Sequence, residues 1–253
     1  MVLISFDIEE FDAPGEFGHP IPFEQEVDIS RRGLEAVLDL LASKGFPATF
    51  FATVAFARQV PELLARIVAE GHELASHGME HSRFSVDDLL ASREALEALT
   101  QHRHRVHGFR MPRMQPISME DLAAAGYTYD ASLNPTWIPG RYCHLRRPLR
   151  PFMDGPIQEL PSSVTPRLRF PLFWLSMHHL PQWLYIWLCK FTYRQTGYLS
   201  LYFHPWEFVD LRREKGVRLP FYMTRHSGPV ALARLGALLD ALLAERKKAT
   251  REG

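Results

Sequence analysis

Two histidines four residues apart, in Ser76-His77-Gly78-Met79-Glu80-His81, follow the apolar run Glu73-Leu74-Ala75, which reads as the end of a strand. On one helical turn residues i and i+4 share a face, so both imidazoles can address one point. Neutral imidazole is the commonest metal ligand, and two histidines with one carboxylate leave coordination open to water. The pair is weak alone, because a chain with 12 histidines offers a chance His-x-x-x-His easily. A third ligand is suggested at the N-terminus. Val2-Leu3-Ile4-Ser5-Phe6 is apolar and β-rich, and it runs straight into Asp7-Ile8-Glu9-Glu10-Phe11-Asp12. Four carboxylates directly after an apolar strand repel one another, and a cation would relieve that cost. In an extended segment Asp7 and Glu9 point to the same side, so one can ligate a metal while the other holds a water. Glu10 and Asp12 also fit an ordinary polar exit from a strand.

Five segments, taken in order, resemble the motifs of the polysaccharide deacetylase family, also called NodB-homology or carbohydrate esterase family 4. They are Ser5-Phe6-Asp7-Ile8-Glu9, His77 to His81, Arg110-Met111-Pro112-Arg113, Asp130-Ala131-Ser132-Leu133-Asn134-Pro135 and Leu201-Tyr202-Phe203-His204-Pro205. Each is weak singly; their order over residues 5 to 205 is specific. Residues 140 to 195 match nothing recognisable. Two positions depart from the family pattern. Ile8 stands where most relatives carry the metal carboxylate, and the Asp-x-Glu form of a sub-branch fits Asp7-Ile8-Glu9 instead. Arg113 stands where an aromatic residue is usual, which keeps a backbone N–H for an oxyanion but replaces the side chain.

The resemblance implies a distorted (β/α)7 barrel and an amide-hydrolysing site. Glu9, His77 and His81 would hold one divalent metal. Zinc is the default, although cobalt, nickel, manganese or iron suit the same donors. Asp7 would act as general base, with exchange of the Asp7 and Glu9 roles left open. Arg110 would pair with Asp7, His204 would protonate the leaving amine, and Asp130 would orient His204. Pro112, Arg113, Ser132, Tyr202 and Trp206 would line the substrate site. A charged Arg113 would suit a phosphate or other anionic group. The implied reaction is removal of an N-acyl group, acetyl first, from an amino sugar of a lipid-linked or nucleotide-linked glycan precursor. Alternatives are N-deformylation of a lipid-linked amino sugar, an allantoinase-like opening of a cyclic amide, and a carbohydrate-binding barrel that has lost its metal.

The elements must position these residues. A chain of 253 residues, 46% hydrophobic, can bury the core of one α/β barrel. The pattern predicts a single domain over residues 1–253 with an aromatic-rich insertion at about 165–195. Strands are expected at 2–7, 48–53, 72–76, 106–110, 127–131, 157–162 and 199–204, alternating with helices at 29–44, 61–70, 85–101, 118–125 and 229–248. Ser30 is the expected cap of the first helix, Gly45 its stop, Ser85 opens the third and Ser118 the fourth. Seven strands alternating with helices imply a parallel barrel, with the motifs at the carboxyl ends of its strands.

Composition excludes some classes. The 29 basic and 29 acidic residues cancel, so nothing indicates nucleic-acid binding. Cys143 and Cys189 are too few for a disulfide framework. No basic and apolar leader precedes Val2, so the sequence predicts no signal peptide and a cytoplasmic protein. Residues 168–191 are rich in Trp and Leu, interrupted by Arg169, His178, His179, Pro181 and Gln182, and flanked by Arg167, Lys190 and Arg194. They cannot form a transmembrane span. They suit either a peripheral contact with the inner membrane leaflet or helices packed on protein. Adjacent histidines on a helix diverge by about 100°, so His178 and His179 are not chosen as ligands. Oligomeric state is not legible.

Overall fold

In the computed structural model, which describes residues 1–252, the first apolar run becomes β1 (Val2–Ile8). It lies between two parallel neighbours, and a strand so placed reads as continuous hydrophobicity. The others are β2 (Thr49–Ala52), β3 (Glu73–Ser76), β4 (Gly108–Phe109), β5 (Tyr129–Asp130), β6 (Trp137–Ile138), β7 (Tyr142–Cys143), β8 (Phe152–Asp154), β9 (Ile157–Glu159) and β10 (Leu199–Phe203). They form one curled sheet in the order β10-β1-β2-β3-β4-β5-β9-β8, with β6 and β7 as a separate hairpin. Seven of the eight sheet strands run parallel, and β8 alone runs antiparallel on the β9 edge. The sheet is the distorted (β/α)7 barrel expected.

Among the described residues no ladder joins β9 to β10. The segment after β9 bridges the gap instead. The Ser163 amide donates to the Ser200 carbonyl at 2.8 Å, and Ser163 Oγ accepts from the Ser200 amide at 2.8 Å. The Tyr198 hydroxyl donates to the Pro161 carbonyl at 3.0 Å.

Alternation along β1 divides its side chains between two environments. Ile4, Phe6 and Ile8 enter the main core beneath the helices. Ser5 and Asp7 face the lumen, where Phe51, Ala75 and Ala131 form a small apolar floor. The carboxylates are therefore delivered to the barrel mouth by a strand whose other face is anchored.

The first long helix spans Phe23–Lys44 and starts after Pro22, six residues before the expected Ile29. Ser30, expected to cap it, is buried inside it; acidic residues Glu24 and Glu26 in the first turn support the earlier start. Gly45 closes it in the left-handed conformation, as expected. Ser118 caps Met119–Ala124 by accepting from the Asp121 amide at 3.1 Å. The third expected helix starts later, at Asp87, and Ser85 contributes its amide to Asp88 rather than a hydroxyl cap. Residues 168–191 contain a short helix, Trp174–His179, and the start of Gln182–Thr196, separated by Pro181. Among the described residues no helix is long and apolar enough to cross a membrane. Both cysteines are free thiols.

Candidate active site

Glu9 leaves the end of β1, and His77 and His81 lie in the loop after β3. That loop is not helical: Gly78 turns it with φ +86°, a conformation glycine adopts without cost, and the two rings face each other 5.8 Å apart. The four-residue spacing therefore works through a turn rather than a helical face. Its backbone is pinned by Glu10, whose carboxylate accepts from the His81 amide at 2.8 Å and the Thr53 hydroxyl at 2.6 Å.

The tautomers follow from the partners. His77 Nδ1 lies 2.7 Å from the Arg110 carbonyl, which can only accept, so Nδ1 carries the proton. His81 Nδ1 donates to Asp12 Oδ1 at 2.8 Å. Both Nε2 atoms are then bare when the rings are neutral. They lie 3.1 and 3.3 Å from Glu9 Oε2, a buried oxygen with no hydrogen-bond donor. Three lone-pair donors within 4.8 Å of one another repel unless a cation sits between them. The residues fit a divalent metal on this ground, and the second nitrogen of each ring is held by an oxygen acceptor, the Arg110 carbonyl for His77 and Asp12 for His81, which is how metal-ligating histidines are usually oriented. Without a metal, a proton takes that place. Burial opposes charging of His81, but Glu9 and Asp12 outweigh it and raise its pKa to about 9. Burial likewise opposes ionisation of Glu9, and the histidines His81, His77 and His204 outweigh it, lowering its pKa to about 2.

Asp7 lies deeper on the same face of β1. Arg110, fully buried after β4, donates to Asp7 Oδ1 at 2.5 Å and to the Ala131 carbonyl at 3.0 Å. Its guanidinium stacks 4.1 Å over the Phe51 ring, which fixes the plane of the salt bridge. His204, directly after β10, brings Nε2 to 3.9 Å from Asp7 Oδ2 across the mouth. Trp206 stacks on its ring at 4.8 Å, and Trp174 meets it edge-on at 5.8 Å.

The carboxylate on His204 is Glu207, not Asp130. Glu207 Oε1 accepts from His204 Nδ1 at 2.9 Å and from the His204 amide at 2.6 Å, while Oε2 holds the buried His178 at 3.0 Å. Burial lowers the His204 pKa; the hydrogen bond to Glu207, with Glu9 and Asp7, overcomes this and raises it. Asp130 faces the other way because it registers with Phe109, whose ring lies in the outer core, whereas the next residues, Arg110 and Ala131, face the lumen. Asp130 accepts from the Ser132 hydroxyl at 2.6 Å and is paired with Glu159 across β5 and β9. Burial and the neighbouring carboxylate push Glu159 up to about 10, so this pair holds a proton at neutral pH. Ser132, expected at the substrate, belongs to the same outer cluster. Its hydroxyl accepts from the Met111 amide at 2.8 Å and so braces the Arg110 loop from behind.

Pro112 is buried in a short 3-10 turn in which Arg113 and Met114 both have positive φ, 59° and 53°. The Arg113 guanidinium is already engaged by Asp12 at 3.3 Å and Glu16 at 2.8 Å, so it braces the loop holding His81 rather than awaiting an anion. Tyr202 lines the lumen beside Arg110, and Trp206 Nε1 donates to Glu9 Oε1 at 3.5 Å. Asp12, Glu207, His178 and Trp174 are the neighbours sequence reasoning missed. For Glu207 a signal existed: an acid three residues after His204 is the spacing of a capping box, and that box forms.

A curled parallel barrel with carboxylates and histidines at its carboxyl-end mouth defines the class. A model of the polysaccharide deacetylase family matches residues 23–129. A chitooligosaccharide deacetylase of Bradyrhizobium sp. (strain ANU 289) is 37% identical over 107 residues, covering 37% of this chain and 49% of that protein. The chain spans about half or less of the length of the curated relatives it matches. A solved structure from Mycobacterium smegmatis described as a polysaccharide deacetylase superposes with TM-score 0.64 at 20% identity, covering 95% of this chain and 82% of that one. An allantoinase superposes equally, TM-score 0.64 at 16% identity, over 96% and 84%. Residues 23–129 are thus similar to the polysaccharide deacetylase family, and the fold of the chain is the one these solved structures share.

Proposed function

We propose that this protein is a metal-dependent amide hydrolase that removes the N-acetyl group from an amino sugar within an oligosaccharide or glycan precursor. The observation that carries the reading is the convergence of Glu9 Oε2, His77 Nε2 and His81 Nε2 beside Asp7 and His204. The sugar class follows from the related protein named for chitooligosaccharide deacetylation.

Glu9, His77 and His81 would hold a divalent metal, which would supply an acidified water and Lewis-acid polarisation of the amide carbonyl. Zinc suits these donors, as do cobalt, nickel, manganese and iron. Asp7 accepts the proton of the attacking water. Arg110 holds Asp7 in one rotamer at 2.5 Å, which aims a single oxygen, Oδ2, into the mouth. His204 hands its Nε2 proton to the leaving nitrogen, and Glu207 keeps it both charged and oriented. Trp174 and Trp206 exclude bulk water from its ring.

The test is metal content and acetate release on one preparation, using N-acetylated chitooligosaccharides. Glu9→Ala and His77→Ala should lose both metal and acetate. Asp7→Asn should keep its metal and lose acetate release by about 100-fold or more. Metal loss in Asp7→Asn with retention in Glu9→Ala would exchange the two roles. Reconstituted wild type that opens a cyclic amide but releases no acetate would overturn the sugar reading.

A further inference from the structure

We propose that the face built by residues 137–196 docks on the surface of an anionic lipid bilayer and presents the active-site mouth to an amphiphilic glycan there. Only the substrate clause rests on the function proposed above; docking rests on the surface itself.

The Gln182–Thr196 helix is inverted with respect to ordinary amphipathicity. Its inward stripe contains Tyr185, Cys189, Thr192 and Thr196, all buried. Its outward stripe, at intervals of four, is Trp183, Trp187 and Phe191, with the two tryptophans 71% and 55% exposed. Trp187 and Phe191 stack at 5.4 Å and form one wall of an apolar groove of about 650 Å³. The facing wall carries Trp137, 60% exposed, and Leu168, 87% exposed. Of the five tryptophans in the chain, the exposed three all border this face. Isolated exposed apolar residues are ordinary, whereas a contiguous groove of them marks an interaction site.

Charge chooses the occupant. Residues 137–196 contain eight Arg and Lys against two Asp and Glu, a net of +6 in a chain whose totals of 29 and 29 cancel, so the remainder carries −6. Lys190 and Arg194 are held by Glu245, and Arg147 pairs with Asp154. Arg141, Arg146, Arg150 and Arg167 are exposed and have no ion pair among the described residues. A second copy of this chain would bring like charge against like. A sugar platform would want flat rings with polar rims, but the groove floor adds Leu184, Leu188 and Phe170. Indole rings, aliphatic side chains and unpaired arginines together are the chemistry of a headgroup interface.

The face is also continuous with the mouth. Phe170 and Leu180 line both the groove and an adjoining hollow that reaches Phe173. Phe173 packs on Tyr202 at 6.0 Å, and the next residue, Trp174, packs on His204. A bilayer against the groove would therefore lie beside the group that protonates the leaving amine.

The experiment is vesicle flotation of the full chain on phosphatidylcholine alone and on phosphatidylcholine mixed with phosphatidylglycerol, at low and high salt. Wild type should float with the mixed vesicles, less so at high salt, with a blue shift of tryptophan emission. Trp183→Ser/Trp187→Ser should bind roughly tenfold or more weakly. Arg141→Gln/Arg146→Gln/Arg167→Gln should lose about fivefold for each arginine and its preference for anionic lipid. Circular dichroism checks that each variant is folded. Glu9→Ala, inactive if the functional reading holds, should float like wild type, so loss of activity and loss of docking are separate results. Absence of flotation by wild type, or variants that float unchanged, would overturn the proposal. So would a dimer dissolved by the tryptophan substitutions, or retention on N-acetylated polysaccharide in place of vesicles.

Discussion

Glu207 and Asp12 act one residue away from the proposed chemistry, and each controls a histidine. Glu207 takes both the amide and Nδ1 of His204, so it fixes the ring and selects the tautomer whose Nε2 faces Asp7. A general acid must carry its proton at the working pH, and the raised pKa of His204 serves that need. A raised pKa means the proton is present below it and lost above it, so activity should fall on the alkaline side, above the ordinary histidine range. Glu207→Gln keeps an acceptor but removes the charge. Its alkaline limb should move to lower pH, with kcat down by about 10- to 100-fold near that limb. A kcat–pH profile that does not move would show that Glu207 only packs. Asp12 does the corresponding service for His81, with Arg113 holding its second oxygen. Asp12→Ala should weaken metal binding by roughly 10- to 100-fold, read by competition with a chromophoric chelator.

At the scale of elements, the Phe23–Lys44 helix sets the height of the His204 turn. Gly33 in that helix lies against Pro205, so closely that a Cβ added to it would sit 1.9 Å from the Pro205 carbonyl oxygen. Gly33→Ala must push apart the helix and the turn that carries Glu207. The expected cost is about 1–3 kcal/mol of stability. Because the turn carries the proposed acid, kcat should fall while metal content stays unchanged. Wild-type kcat in a destabilised Gly33→Ala would mean that the turn does not position the acid. What was legible in the sequence follows the same element logic. β1, β2, β3 and β10 were readable because buried parallel strands are runs of apolar residues. Gly45 and Ser118 were readable because their caps are local chemistry. The β6–β7 hairpin and β8 were not, since strands of two and three residues among arginines and prolines leave no periodicity. Asp7, Arg110 and His204 could be placed at strand ends, but the face Asp130 takes depends on its register with Phe109, which only pairing reveals. The family resemblance implied Asp130 as the carboxylate partner of His204; topology supplied Glu207.

Across the whole molecule the proposed metal is a tie between distant parts of the chain. Glu9 comes from the end of β1 and His77 and His81 from beyond β3, with β2 between them. The other nitrogens of the two rings reach Arg110 and Asp12, so one bound ion would link the mouth from residue 9 to residue 110. A ligand that binds only the folded state at 100 times its Kd adds about 2.7 kcal/mol. At about 2–4 °C per kcal/mol for a chain of this size, chelation should lower Tm by roughly 5–10 °C. The pH dependence distinguishes this tie from incidental binding. In the metal-free protein the proton on His81 is a stabilising group whose pKa is raised from 6.5 to about 9. Its contribution is fully present below pH 6.5 and is lost as pH rises through about 9, leaving Glu9 Oε2 facing bare nitrogens. A metal replaces that proton, and protons compete with it less as pH rises. The metal-induced gain in Tm should therefore grow from pH 6.5 to pH 9 in wild type. Glu9→Gln, which removes both the ligand charge and the repulsion, should show a small gain with no such slope. Calorimetric scans of metal-loaded and chelated protein across that range decide it, and a gain independent of pH would separate the stabilising ion from the Glu9–His77–His81 cluster.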